Sequence, residues 1–228
     1  MDSRLTPGYY VRPDGLDPFI ARLLAGCRTV ADIKGAMAQA LTALPAGAAQ
    51  TGGVIEDGAD IDGLVVVQPG ARIEAGARVS GPVLVCSDTV IARGAWVRDH
   101  SIVGPGCRIG AGAEITRSLL AGHDVMVHAS FVGDSVLAER VNVGAFCSTT
   151  GLLCTSGPVT EPATREITIS LDGRRIGTGQ TKFGAVVGDG VSLPAATVLA
   201  PGTLIGPGTV LYPRTQIGGV LPAGSVVR

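Results

Sequence analysis

Residues 55–115 read IEDGADIDGLVVVQPGARIEAGARVSGPVLVCSDTVIARGAWVRDHSIVGPGCRIGAGAEI, with an aliphatic residue at every sixth position: Ile55, Ile61, Val67, Ile73, Val79, Val85, Ile91, Val97, Val103, Ile109 and Ile115. Ala121 takes the next slot and Val127 extends the series. A second run keeps the same beat at Val187, Leu193, Leu199, Ile205, Leu211 and Ile217. A helix repeats at about 3.6 residues and a strand at about 2, so neither alone makes this pattern. A parallel β-helix does, because each hexad folds as one short strand plus a turn and sends its aliphatic into a central stack. The fifth residue of the hexads is mostly small: Ala59, Ala71, Ala77, Thr89, Ala95, Ser101, Cys107 and Ala113. Small inward residues suit a tight triangular coil. The expected class is therefore all-β.

Composition agrees. The 228 residues include 34 glycines and 14 prolines, with only 4% aromatics, so the core is built from Val, Ile, Leu and Ala with Gly and Pro at repeated corners. The regular hexads and positive mean hydropathy argue against disorder. A formal net charge of −1 leaves no nucleic-acid footprint. Five cysteines, odd in number and without a C-x-x-C pair, support neither a zinc ribbon nor a disulfide framework. Cys107 falls in a small inward slot and reads as a buried thiol. No basic start precedes an apolar run, and no apolar stretch is long enough to span a bilayer. The expectation is a soluble, cytoplasmic protein.

Residues 1–50 lack the hexad. Asp17-Pro18 reads as an N-cap with Pro at N1, opening a helix that Gly26 ends. Thr29-Val30-Ala31-Asp32 resembles a capping box for a second helix carrying Ile33, Met37 and Leu41. This segment is expected to be a helical cap or arm, with a β-helix domain over residues 51–228. The step shortens to five residues between Val132 and Leu137, which marks an adjusted corner. Residues 150–178 break the pattern. Within them Ile167, Ile169 and Leu171 alternate before Asp172-Gly173, predicting an extruded loop that ends in a β-hairpin. Coils resume near Val186.

The stretch His128-Ala129-Ser130-Phe131-Val132-Gly133-Asp134-Ser135, followed by Val141-Asn142-Val143-Gly144-Ala145, resembles the acetyltransferase half of bifunctional sugar-1-phosphate nucleotidylyltransferase/acetyltransferases. The pattern there runs H-L-S/T-Y-L/I/V-G-D-A/S and then V-N-I/L-G-A-G-T. The likeness extends upstream through Trp96-Val97-Arg98 and Glu114-Ile115-Thr116-Arg117-Ser118. Downstream it runs through Ile169–Ile176 and Thr181-Lys182-Phe183-Gly184-Ala185, so that it covers residues 53–228. The nucleotidylyltransferase half has no counterpart in these residues.

The resemblance implies a left-handed β-helix, an exception to the usual right-handed crossover. It also implies a homotrimer with clefts between subunits, acetyl-CoA as co-substrate, and the amine of an amino-sugar 1-phosphate as acceptor. An attacking amine must lose its proton as the bond forms, which calls for a general base, and the matching residue is His128. Asn142 matches an active-site asparagine, and Ala145 matches a backbone contact to acetyl-CoA; Lys182, Ala195 and Tyr212 fall on the same cofactor side. Arg98 matches a phosphate-binding arginine, with Glu114, Arg117 and Phe131 completing the acceptor side.

Several positions depart from the pattern. Phe131 replaces a tyrosine, Thr116 a lysine whose charge Arg117 partly restores, and Gly151 an asparagine; the chain's only lysines are Lys34 and Lys182. These losses suggest a changed acceptor, or a non-catalytic trimeric scaffold partnering a separate nucleotidylyltransferase. A third reading, a zinc enzyme of the hexad-repeat carbonic-anhydrase type, would use His100, His123 and His128. The 28-residue separation of His100 and His128 argues against it, since an unbroken coil stacks residues about 18 apart.

Overall fold

The structure, a computed structural model, describes residues 1–12, 14–44, 52–158, 160–213 and 216–228. The expected boundary between residues 50 and 51 lies outside the described residues. Each hexad forms a strand of two to four residues, and successive strands build three parallel sheets that close a left-handed triangular prism. Face A runs from Val54–Ile55 to Ser192–Leu193, face B from Asp60–Asp62 to Gln216–Ile217, and face C from Val65–Val67 to Val220–Leu221. The chain passes A to B to C, so the prism has three edges: AB, BC and CA.

The hexad aliphatics fill the prism as three stacked columns, such as Val79, Val97, Ile115 and Val132 along face B. Ala71, Ala77, Ala95, Cys107 and Ala113 are buried in the small slots as expected. Where a polar residue takes such a slot, its hydroxyl bonds a carbonyl: Thr89 Oγ1 donates to Gly104 O at 2.6 Å and Ser101 Oγ to Arg98 O at 2.6 Å. Asp124 also sits inside, accepting from Val141 N at 2.7 Å beside Cys107; burial pushes its carboxyl well up and the Cys107 thiol up as well.

Early coils are regular. Arg78 pairs with Trp96, 18 residues on. Two corners in the middle coils then shorten, where the hexad reading predicted one, and a third near the C-terminus shortens to four residues between Ile217 and Leu221. Ile102 pairs with Leu119 and Arg108 with Val125, 17 apart, so a first five-residue step falls between Ile115 and Leu120. Leu120 and Met126 therefore point inward. Val127, expected in the stack, is 43% exposed, and Ala121 packs outside the prism. The expected step from Val132 to Leu137 is present. The two middle corners lie on edge BC and both contain a buried serine. Ser118 Oγ donates to Thr116 O at 2.8 Å and Ser135 Oγ to Gly133 O at 2.6 Å. Each hydroxyl also accepts from the next coil, Ser118 from Ser135 N at 3.1 Å and Ser135 from Ala185 N at 3.0 Å. This serine column replaces the backbone bonds that the missing residue would have made.

The N-terminal segment forms helices α1 (Pro7–Tyr10), α2 (Pro18–Ala25) and α3 (Ile33–Thr42). Asp17 caps α2 by accepting from Phe19 N at 2.8 Å, and Asp32 accepts from Thr29 N at 2.7 Å ahead of α3. The segment does not close an end of the prism. It lies along face C, whose outward ladder Val66, Leu84, Ile102, Leu119, Val136, Val186 and Leu204 is apolar and buried beneath Tyr10, Ile20, Leu24, Met37 and Leu41.

The predicted hairpin is Thr168–Leu171 against Arg174–Gly177, turning at Asp172-Gly173, both with positive φ. Ile167, Ile169 and Leu171 join the cluster over face C. A short antiparallel pair that the pattern did not announce, Cys154–Ser156 with Ala163–Thr164, precedes it. Coils resume at Ala185–Val187. Among the described residues no helix is long and apolar enough to cross a membrane.

Candidate active site on edge AB

The paired residues Val125, Asn142 and Ser192 form one outward rung series on face A. Three residues further along each coil, the same register brings His128, Ala145 and Ala195 to equivalent positions on edge AB. Coils are about 4.8 Å apart, so these three rungs span about 10 Å. Tyr212, 46% exposed, follows Val210–Leu211 on the next coil at this edge and carries the Arg228 guanidinium over its ring. Ser130 Oγ fixes the His128 turn by donating to His128 O at 2.9 Å, and the histidine itself is exposed. Asn142 is exposed on face A. Gly144, Ala145, Pro194, Ala195 and Ala196 lie on the next two rungs beside one large residue, Phe146, and no protein acceptor takes the N–H groups of Ala145 and Ala195 among the described residues. The result is a shallow ledge with free backbone donors, ending at an imidazole.

The same edge holds a residue that the sequence reading passed over. On earlier coils its turn position is glycine, with φ between 76° and 91° at Gly58, Gly76, Gly94 and Gly112. Above Ala129 the position is Phe146, with φ 60° and 73% exposure; its N–H donates to Ala129 O at 2.6 Å. Phe146 stands where the V-N-I/L-G-A-G-T pattern has its second glycine. That mismatch was the available signal.

Face B carries the acceptor-side residues. Trp96, Glu114, Phe131 and Ser148 form one outward ladder beginning on the coils below His128. Arg98 lies over the Trp96 ring at 4.7 Å and bonds Glu114 Oε1 from Nε at 3.0 Å and Nη2 at 2.7 Å; it also bonds Asp99. Arg117 is further round, on edge BC, where it grips Asp134 with two 2.9 Å bonds. Lys34 of α3 reaches the same Asp134 at 3.0 Å. Burial alone would raise the Asp134 carboxyl, but the two cations outweigh it and hold it below the usual carboxylate range. Asp134 in turn raises the Arg117 guanidinium. Arg98, Arg117 and Lys34 thus face Asp99, Glu114 and Asp134, three charges against three.

The structure therefore brings His128, Asn142, Ala145, Ala195 and Tyr212 to one edge and its flanking face. Phe131, Glu114 and Arg98 lie on the adjoining face. It does not bring Arg117 or Lys182 there: the Lys182 carbonyl accepts from Lys34, which ties that residue to edge BC. Arg117, His100, Lys34, Gln39 and Gln180 line a separate cleft of about 680 Å³ beneath α3. The three histidines occupy three different edges, His100 on BC, His123 on CA against Gly106, and His128 on AB, so one chain cannot gather them around one metal. No cluster of three or more metal-ligating side chains occurs among the described residues.

Comparison with known proteins agrees with this architecture. Residues 48–132 match the family described as GMPPB C-terminal domain. The chain is 32% identical over 150 residues, 66% of its length, to a bifunctional sugar-1-phosphate nucleotidylyltransferase/acetyltransferase from Sulfurisphaera tokodaii. It spans only 35% of that relative's length. By sequence and by coil geometry the chain is a left-handed β-helix of hexapeptide repeats, related to part of a sugar-1-phosphate nucleotidylyltransferase/acetyltransferase.

Proposed function

We propose that the chain is an acetyl-CoA-dependent N-acyltransferase acting on an amino sugar or amino-sugar phosphate, with His128 as general base. The observation that carries this reading is the shared rung position of His128, Ala145 and Ala195 on one edge. A base, a small-residue ledge and unoccupied backbone N–H donors fall in line there, which is what an extended thioester and an attacking amine require. Ala145, Ala195 and Tyr212 would hold the co-substrate, and acetyl-CoA when bound supplies the activated acyl group. His128 takes the proton that the acceptor amine loses as it attacks. The Asn142 carboxamide and the free N–H groups are donors for the negative charge that grows on the acyl oxygen. The acceptor lies on face B, over Phe131 and Glu114, with Arg98 beyond them. The working form is a homotrimer in which a neighbouring subunit closes this open edge, and the setting is cytoplasmic, where acyl-CoA is available.

The internally paired arginines favour one other reading, a non-catalytic trimeric scaffold for a separate nucleotidylyltransferase. Thiol release from acetyl-CoA separates the two. Wild type is expected to turn over with an amino sugar or its 1-phosphate, and His128→Ala to lose about 10²- to 10⁴-fold in kcat with the assembly intact. Equal turnover by the mutant removes His128 from the reaction. Absence of both turnover and acetyl-CoA binding in wild type selects the scaffold.

A further inference from the structure

Phe146 meets two penalties. Its φ of 60° is a conformation that bulky side chains rarely adopt, and its ring is 73% exposed. Nine other non-glycine residues with positive φ occur among the described residues; all are charged or polar except Ala196. Phe146 is the one large apolar side chain in that set. Strain of this kind persists mostly where function holds it.

Its position points to the function. Phe146 stacks above Ala129, one residue beyond His128, and lies two residues before Ser148, the ladder partner of Phe131. Phe146 thus stands at the base's edge one coil above it, whereas the Phe131 ring leans along face B over Gly133, away from that edge. The charged groups beyond them are already matched, with Arg98 held by Glu114 and Asp99, and Arg117 by Asp134.

We infer that Phe146 is a specificity-determining residue which recognises the acceptor by stacking on the apolar C–H face of a sugar ring. This rests on the proposed transferase reading and narrows it: the ring, more than its charge, selects the acceptor. An acyclic amine of the same charge would not be held beside His128.

Trp96, the chain's single tryptophan, lies in the same face B ladder as Phe131 and reports on this surface. Trp96 fluorescence should be titrated with glucosamine and with the acyclic amino alcohol serinol, alongside thiol release from acetyl-CoA. Wild type is expected to bind glucosamine saturably and serinol at least tenfold more weakly. Phe146→Gly should lose about tenfold in glucosamine affinity, raise KM with kcat little changed, and unfold at an equal or higher temperature. Phe146→Tyr should restore binding.

Glucosamine affinity within twofold of wild type in a folded Phe146→Gly protein that still releases thiol would overturn this inference alone. Dissociation of the oligomer in that variant would make Phe146 a subunit contact and overturn it as well. Absence of both glucosamine binding and thiol release in wild type would overturn the transferase reading together with it.

Discussion

Faces B and C of the prism share one period and one interior, yet their outer surfaces have opposite fates. On face C the outward residues are Val66, Leu84, Ile102, Leu119 and Val136, and α1–α3 and the hairpin bury them. On face B the equivalent residues are Asp60, Arg78, Trp96, Glu114, Phe131 and Ser148, and the surface stays open. The inward hexad position decides that a β-helix forms. The outward position, free of that constraint, decides what each face meets. Face C is spent on the chain's own helices, while face B keeps aromatic and charged groups beside edge AB, where burial would cost their solvation.

The contrast is most sharply tested by removing one outward residue from each face. Ile102, fully buried beneath the helices, should cost about 3 kcal/mol as Ile102→Ala, from lost burial and the cavity left behind. Ser148→Ala, on face B, should stay within about 0.5 kcal/mol. Urea unfolding measures both. A small cost at Ile102 would mean that the helices are only loosely seated on face C.

The two faces meet at edge BC, where Asp134 joins Lys34 of α3 to Arg117 of the coil. Asp134→Asn should cost about 2 kcal/mol near neutral pH, the scale of charge-assisted hydrogen bonds to a mostly buried carboxylate. The pH dependence has a definite sign. The folded carboxyl is held below its unfolded value, so its stabilisation is full above about pH 4 and fades as pH falls through the lower folded value. The gap between wild type and Asp134→Asn should therefore shrink on acidification below pH 4. A constant gap would assign the loss to packing rather than charge.

How far the sequence announced this molecule follows from which positions repeat. Ile55 to Ile115 are locked to the interior by a strict period, so the prism, the small slots and the resumption at Val187 were all legible. The shortened corner at Leu120 was not, because Val127 imitates the beat by chance while Ser118 performs the actual repair through hydrogen bonds that no hydropathy pattern records. The course of the helices along face C was written in the ladder Leu84, Ile102 and Leu119, but reading it requires the 17- and 18-residue registers first. His128 and Asn142 were found by motif. Phe146 was missed because a hexad reading treats turn residues as interchangeable; its mismatch with the motif's second glycine was legible, and its positive φ shows that a glycine position had been taken over.

The smallest expected effect bears on how face B is divided between ring and charge. Glu114 Oε1 takes two bonds from Arg98, and Asp99 takes the remaining arm. Glu114→Gln leaves the side-chain shape but removes one negative charge, so the guanidinium faces solvent with less than full compensation. If the acceptor lies across Phe131, a phosphate on it would approach that freed charge. The ratio of kcat/KM for glucosamine 1-phosphate over glucosamine should then rise about threefold, the scale of a partly exposed ion pair. Because such a pair is screened, the gain should fall at high salt. A ratio unmoved by the substitution at low salt would place any phosphate away from Arg98. Phe146 at edge AB would then be left as the dominant aromatic contact to the acceptor.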